Sequence, residues 1–488
     1  MNDLNFQWAY LGPETVFFSA VLLLFLAAII QNKAAALSRA LVRGVPVLAA
    51  LGSASLAAAS VTCPQTSLFF EAYQVDGLSQ FFKLLVSAGY LVACLNAWSP
   101  STLADYRRAD YFLFLTLSAW GLIILASAAE LVTVYLALEL ASYSLYILIP
   151  IRSHSKEAAE AGLKYILFGA VATALALYGL SWIIAAQHTT YIKELASCDF
   201  TMANPLAVLG LSLFLGGLFF KLALFPFHFW CPDVYQGAGN ETAAYAATLP
   251  KMGAVIVLIR LAALISPGQT LANILAVLAA VSITYGNLAA LAQKDLKRML
   301  GFSSVAHAGY ILVGLVSKTP EGLAAAAFYA MAYLVMNLLV FWIISRISDD
   351  GRNLTYDSLN GLAKRSPALA LALAAGAFSL VGLPPTVGFI GKLWLLTSAW
   401  GHGYDWLVIV VCVNSAIAIF YYLSLVRHAY TEEPAEGSLE EAAMARANTS
   451  AFSQLGALAL GLLVILLGVL PSPVFGVILE ASRQLLPL

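Results

Sequence analysis

One feature limits the possible folds of this chain more than any other. From Pro13 onward, apolar stretches close to twenty residues long follow one another, separated by short polar turns. The hydrocarbon core of a bilayer is about 30 Å thick and takes about 20 helical residues to cross. Within lipid every backbone polar group must be satisfied internally, so only helices and closed barrels span it. These runs are continuous rather than alternating, which selects helices over barrel strands. About fourteen spans are predicted, starting near Pro13, Leu41, Asp76, Asp110, Leu131, Ala158, Pro205, Asn240, Thr270, Arg298, Pro320, Ser366, Tyr404 and Ala451. Composition agrees: 10% of residues are charged and 61% hydrophobic, against about 25% charged in soluble chains. The expected fold class is an all-α polytopic membrane protein with a single membrane domain, residues 1–488.

Charge and cysteine usage remove other classes. A net charge of −1 without a basic cluster leaves no footprint for nucleic acid. The opening MNDLNFQWAYLGPE lacks the basic region of a cleavable signal, so the first span is expected to stay. Five cysteines form no CxxC and no metal-type spacing, and six scattered histidines make bis-histidine haem a weak idea. Cys63 and Cys198 both fall in outer loops, where free thiols are the first expectation and a disulfide the alternative. With the N-terminus outside, sixteen basic residues, among them Arg39, Arg43, Arg107, Arg108, Lys297 and Arg446, lie in inner loops. Only Lys193, Arg260, Lys318 and Arg483 then lie outside. That bias obeys the positive-inside rule and puts both termini on the outer side. The longest polar loops, Asp349 to Arg365 and Thr431 to Asn448, are both inner.

Five basic residues remain inside spans: Lys83, Lys164, Lys221, Lys251 and Lys392. A charge at bilayer depth costs roughly 2.5–3.5 kcal/mol on insertion scales, and such groups face partners, water or an ion path. Lys221 stands in GGLFFKLALFPFHFWCPDVYQG, five residues before Pro226, which removes a backbone donor and breaks the helix. Lys392 follows a second break, LVGLPPTVGFIGK. Irregular backbone at that depth is tolerated only inside protein or around water. The breaks fall in the seventh and twelfth spans, and an odd shift of five spans implies two inverted five-helix repeats, a transporter signature. Lys251 follows Pro250 and gives a third copy of the pattern.

Glu139 is the one acid in mid-span, a natural partner for Lys221; a structural contact with Tyr135 or Tyr143 is the alternative. Burial disfavours the charged form of an amine and a nearby acid restores it, so such a pair can exchange protons. A plain ion pair between helices is the competing role for every one of these lysines. Lys164 either relays a proton or snorkels to the inner surface. His228, one heptad after Lys221, and His307, in SSVAHAGY, are candidate shuttles or satisfied structural residues. Lys83 and Asp76 share a helix face and are expected to pair near the outer surface. Asp233 and Glu241 are expected to be surface acids.

With these residues in view, the chain resembles the antiporter-like membrane subunits of respiratory complex I and the related cation/proton antiporters. The stretches that carry the resemblance include LVTVYLALELASYSLYILIP, KEAAEAGLKYILFGAVATALALYGL, LFFKLALFPFHFWCPDVYQG, GNLAALAQKDLKRMLGFSSVAHAGYILVG and LVGLPPTVGFIGK. The chain looks most like the subunit N type. It ends soon after its fourteenth span, carries Lys392 where the subunit M type has glutamate, and shows FYYLSLVRHAY in the thirteenth span. It departs from the pattern at GAGNETAAYAATLPK, where a more proline-rich join is usual.

The resemblance implies proton translocation driven by electron transfer in other subunits of an NADH-quinone oxidoreductase. Glu139 and Lys221 would form the first half-channel pair, Lys251 the central connection and Lys392 the exit of the second half-channel, with His228 and His307 along the axis. It implies three leading spans (1–109), repeats at 110–264 and 270–430, and a last span and tail at 451–488. It also implies no cofactor in this chain, with quinone, FMN and Fe–S clusters in partner subunits, and a place in the inner or cytoplasmic membrane. A subunit of a multi-subunit Na⁺/H⁺ antiporter, a structural membrane scaffold and a quinone-binding redox subunit are the alternatives.

Overall fold

The computed structural model describes residues 10–63, 65–98, 102–152, 155–262, 270–348, 351–431 and 450–485. The residues 1–9 of the opening segment, most of the loop Thr431 to Asn448, and Arg446 within it, lie outside them. Thirteen helices among the described residues are long and apolar enough to cross a membrane. In chain order they begin with α1 (Gly12–Ile30), α2 (Ala35–Ser60), α3 (Gly77–Asn96), α4 (Arg108–Ser127), α5 (Leu131–Leu148) and α6 (Lys156–Gln187). The seventh span is split into α7 (Pro205–Leu222) and α8 (Trp230–Gly237). Then come α9 (Asn240–Leu261), α10 (Thr270–Leu291), α11 (Leu296–Val316) and α12 (Pro320–Ile347). The twelfth span is likewise two half-helices, α13 (Pro367–Val381) and α14 (Val387–Ala399). The chain closes with α15 (Asp405–Tyr430), α16 (Ala451–Val469) and the short α17 (Ser472–Arg483).

All fourteen expected spans are present, two of them broken where proline placed the break. The chief boundary error is α2, which starts at Ala35 rather than Leu41 because the helix runs on through AALSRA, polar Ser38 and Arg39 included, ahead of the apolar run. Among the described residues one antiparallel hairpin, β1 (Thr66–Leu68) with β2 (Tyr73–Val75), departs from the all-helical pattern.

Helix starts are fixed by side chains that accept the orphan N–H groups of a first turn. Asp76 and Ser79 form a capping box on α3. Glu130, Ser155, Asn204, Asp295 and Thr319 cap α5, α6, α7, α11 and α12. Helix ends at the two breaks share one motif. The N–H of Leu224 bonds Phe219 O at 2.9 Å and that of Ala223 bonds Phe220 O at 3.0 Å; Leu383 to Phe378 O and Gly382 to Ser379 O repeat the pair. This is a Schellman ending, with Ala223 (φ +61°) and Gly382 (φ +89°) in the left-handed position it requires.

The bundle sorts its helices by what they face. The most apolar windows of α9, α11 and α12 are 100% buried within the chain, whereas those of α1, α2 and α6 are 33% buried and that of α16 is 28%. Three helices therefore form the centre of the bundle, and polar side chains within those stretches are buried among protein. The half-helices lie against this centre, α7 beside α9 and α14 beside α11 and α12.

Candidate functional site

The first polar cluster stands where α5, α6 and α7 meet. Glu139 accepts a hydrogen bond from Thr173 Oγ1 at 2.9 Å, and its other carboxylate oxygen has no hydrogen-bond partner among the described residues. Lys221 Nζ donates to Ser142 Oγ at 2.5 Å, one turn from Glu139 on the same helix. The ammonium also lies 5.2 Å from the Phe220 ring and 6.0 Å from that of Tyr165. Glu139, Thr173 and Lys221 line one cavity of about 20 Å³. That is room for a single water. The acid and the lysine thus share a cavity without touching, since no oxygen of Glu139 lies within 4.0 Å of Lys221 Nζ. Close helix approach keeps the cavity small: a methyl added at Gly217 would sit 2.8 Å from Ala176 Cβ.

Each break leaves carbonyls without helical partners, and in both a lysine supplies the donor. Lys251, on central α9, donates to Leu222 O at 3.1 Å, the last residue of α7. Lys392, on α14, donates to Val381 O at 2.7 Å and Leu380 O at 3.3 Å, the last residues of α13. A cation belongs there, because the helix C-terminus carries partial negative charge. Gly382 is required twice over: its φ is positive, and a methyl on it would lie 2.9 Å from Lys392 Cδ.

Between Lys251 and Lys392 runs a set of hydroxyls and rings. Lys251 bonds Ser304, which bonds Tyr333 OH at 2.5 Å and Tyr235 OH at 3.1 Å. His307 meets Tyr329 OH through Nδ1 at 2.8 Å and Tyr422 OH through Nε2 at 3.0 Å, and its ring lies 5.3 Å from that of Tyr333. Tyr310 accepts from Asn287 at 3.2 Å, and its ring lies 4.7 Å from Lys392 Nζ. All these residues except Lys392 are less than 2% exposed. The arrangement offers alternating donors and acceptors in a water-poor core, suited to passing protons rather than binding an organic substrate.

The other expected residues go elsewhere. His228 is buried in the break between α7 and α8, 4.6 Å from the Tyr285 ring, and neither ring nitrogen reaches a side-chain partner among the described residues. Lys164 lies outside both clusters, in ion pairs with Glu160 and Asp233, each at 2.7 Å.

Four expectations are corrected. Lys83 pairs with Glu14 at 2.5 Å rather than with Asp76, because Asp76 caps α3 and holds Arg260 at 3.0 Å. Arg260, counted as an outer-loop residue, is therefore buried. Glu241 is 4% exposed beneath Thr102, which donates to it, so it is no surface acid; Asp233 is half-buried between Lys164 and Arg298. Lys297, counted in an inner loop, is fully buried and donates to Ala238 O at 2.8 Å. Cys63 and Cys198 are both free.

Sequence reasoning missed Ser142, Thr173, Tyr310, Tyr329, Tyr333 and Tyr422. A usable signal exists for one pair: Tyr329 and Tyr333 stand one turn apart on α12 and so share a face.

Among the described residues no group of three His, Cys, Asp or Glu is placed to hold a metal ion. Residues 128–418, which hold both clusters apart from Tyr422, match the profile of the NADH:quinone oxidoreductase/Mrp antiporter transmembrane family. NADH-quinone oxidoreductase subunit N 2 of Solidesulfovibrio magneticus is 54% identical over 97% of this chain and 98% of its own length. Subunit N of Laribacter hongkongensis is 36% identical over 90% of each chain. A chain of respiratory complex I from Thermus thermophilus superposes with a TM-score of 0.81 at 31% identity, covering 95% of this chain and 98% of that one. A chain of the Mrp complex from Dietzia sp. superposes with a TM-score of 0.85 over 97% of each chain, but at 21% identity it attests the fold alone. The chain belongs to the NADH:quinone oxidoreductase/Mrp antiporter transmembrane family, on the branch formed by the N subunits of NADH-quinone oxidoreductases.

Proposed function

We propose that this chain is the N-type proton-translocating subunit of a complex I-type quinone oxidoreductase, working beside other membrane subunits and carrying no redox centre itself. Flavin, iron–sulfur clusters and quinone belong to its partners in this reading. The proton path runs through two segments. Glu139 and Lys221, bridged by a water in their shared cavity, form the entry. Lys251, Ser304, His307, the surrounding tyrosines and Lys392 form the continuation. His228, beside the first break, is the group we place between them; Lys164 we keep only as an electrostatic neighbour of the entry. We read both termini on the outer face of the energy-conserving membrane, residues 110–264 and 270–430 as inverted repeats, and 1–109 and 451–488 as flanking spans.

One observation carries the reading: three buried lysines have neutral partners. Lys221 donates to a serine, Lys251 to a serine and a carbonyl, and Lys392 to two carbonyls. A lysine locked to a carboxylate resists giving up its proton, because the acid would be left charged and unpaired. A lysine held by neutral oxygens releases it without stranding a charge. Electron transfer elsewhere in the complex then needs only to draw Lys221 towards Glu139 or away from it to push a proton onward.

The test is proton uptake against quinone reduction in vesicles carrying the assembled complex, with Lys221→Met and Glu139→Gln variants. Both should assemble, and coupled turnover should fall by about 10²-fold, the scale of a lost positioned proton donor. Full pumping by a Lys221→Met, Lys392→Met double variant would instead make the chain a scaffold. The Na⁺/H⁺ antiporter reading predicts ²²Na⁺ uptake that the same variants abolish.

A further inference from the structure

A cavity near the basic end of the bundle has no part in the proposed proton path. It measures about 580 Å³, within the roughly 300–1,000 Å³ usual for small-molecule sites. It opens between the α1–α2 turn, the end of α3 and the start of α4, and Arg39, Arg43 and Arg108 all line it. The one acid on its wall, Asp105, is spent on Arg108 at 3.0 Å. Among the described residues Arg39 uses only Nε, on Ala35 O, and Arg43 makes no hydrogen bond or ion pair. Three guanidinium groups therefore face one space with a single carboxylate between them.

The rest of the wall says what kind of anion fits. Trp98 and Tyr106 stand at the rim, 42% and 66% exposed, as aromatic side chains do at headgroup depth. Deeper in, Val42, Pro46 and Phe112 make an apolar floor. On its outward side α2 shows Leu37 (55% exposed) and Leu48 (69%). A ligand here meets cations at one level and hydrocarbon one or two helical turns below. Free phosphate would use only the first.

We infer that this cavity is a binding site for an anionic glycerophospholipid of the inner leaflet. Its phosphate lies among Arg39, Arg43 and Arg108, and an acyl chain runs down along Val42 and Pro46. Arginine forks match phosphate oxygens bidentately, and basic pockets between spanning helices at the inner surface suit anionic headgroups. The lipid would fasten the three leading spans to one another and to α4 at their inner ends.

The experiment uses the assembled complex, stripped of loosely held lipid in detergent. Native mass spectrometry and thermal unfolding follow addition of phosphatidylglycerol, phosphatidylcholine or inorganic phosphate. Phosphatidylglycerol should remain bound and raise the unfolding temperature, whereas phosphatidylcholine should do neither. The Arg39→Gln, Arg43→Gln variant should bind phosphatidylglycerol about thirty-fold more weakly at roughly 1 kcal/mol per arginine. Both residues are exposed, so the fold survives the change, and proton pumping serves as the check of assembly. Equal effects of the two lipids overturn the inference, as does unaltered phosphatidylglycerol binding in the variant. Protection by inorganic phosphate alone makes the site a phosphate site and also overturns it. So does an Asn32→Cys cross-link to a neighbouring subunit with no lipid retained.

Discussion

Two sets of buried charges share this bundle, and they are built on opposite terms. Away from the central path, where α1 and α3 begin and α9 ends, an outer cluster has Lys83 meeting Glu14 at 2.5 Å and Arg260 gripping Asp76 with two hydrogen bonds of 3.0 and 3.1 Å. Every cation there has its own acid. Tyr73 adds a donor to Glu14; burial and the adjoining carboxylate push that phenol well above its usual range, so it stays protonated. Along the centre, Lys221, Lys251 and Lys392 have hydroxyls and carbonyls instead. Burial is nearly complete in both places. What separates a fastening from a carrier is whether removing a proton leaves an unpaired charge behind.

The sharpest way to break the contrast is to neutralise one member of each set. Lys392→Met removes a cation whose partners are carbonyls, so no charge is stranded. Assembly should persist while proton uptake per quinone reduced falls by about 10²-fold. Arg260→Met should do the reverse. It strands Asp76, and breaking a buried pair costs about 3–5 kcal/mol, so the amount of assembled complex should drop. Each complex that does assemble should pump at the normal ratio. Immunoblots of the intact complex with proton-to-electron ratios in the same vesicles separate the two. If Arg260→Met assembles fully but loses pumping, the outer cluster is a carrier and the distinction collapses.

The sequence made the two sets look alike, and the reason is geometric. Span count, both breaks and every mid-span lysine were legible, because hydropathy summed over about 20 residues and a proline's missing donor are properties of one segment. Partnership across segments was not. Seven residues' spacing put Asp76 and Lys83 on one face, yet the aspartate faces Arg260, 184 positions on. Glu241 reads as a loop acid until Thr102 covers it. Tyr329, Tyr333 and Tyr422 are lost among 22 tyrosines, and only the packing of α11, α12 and α15 brings their hydroxyls to Ser304 and His307.

Those hydroxyls give a smaller test of the central set. Tyr422→Phe removes the partner of His307 Nε2 and of Ser303 while keeping the ring. Of these two hydrogen bonds the one to His307 lies on the proposed path, and at about 1 kcal/mol its loss should slow pumping by roughly five-fold with the stoichiometry intact. An unchanged rate would route protons past His307 by way of Tyr329 and Tyr333.

Lys164 marks the lower bound of the comparison. It has acids for partners, like the outer cluster, but its side chain is 37% exposed, and both Glu160 and Asp233 are open to solvent on one side. Water screens such pairs, and exposed ion pairs contribute about 0–1 kcal/mol. Asp233 also keeps Arg298 at 2.5 Å when the lysine is gone, so no acid is stranded. Lys164→Gln should therefore leave assembly unchanged and alter pumping by less than about two-fold. A loss matching that of Lys221→Met would move this residue from the rim into the proton path, and would show that solvent-facing acids can feed the entry directly. The comparison would then turn on access to water as much as on the charge of the partner.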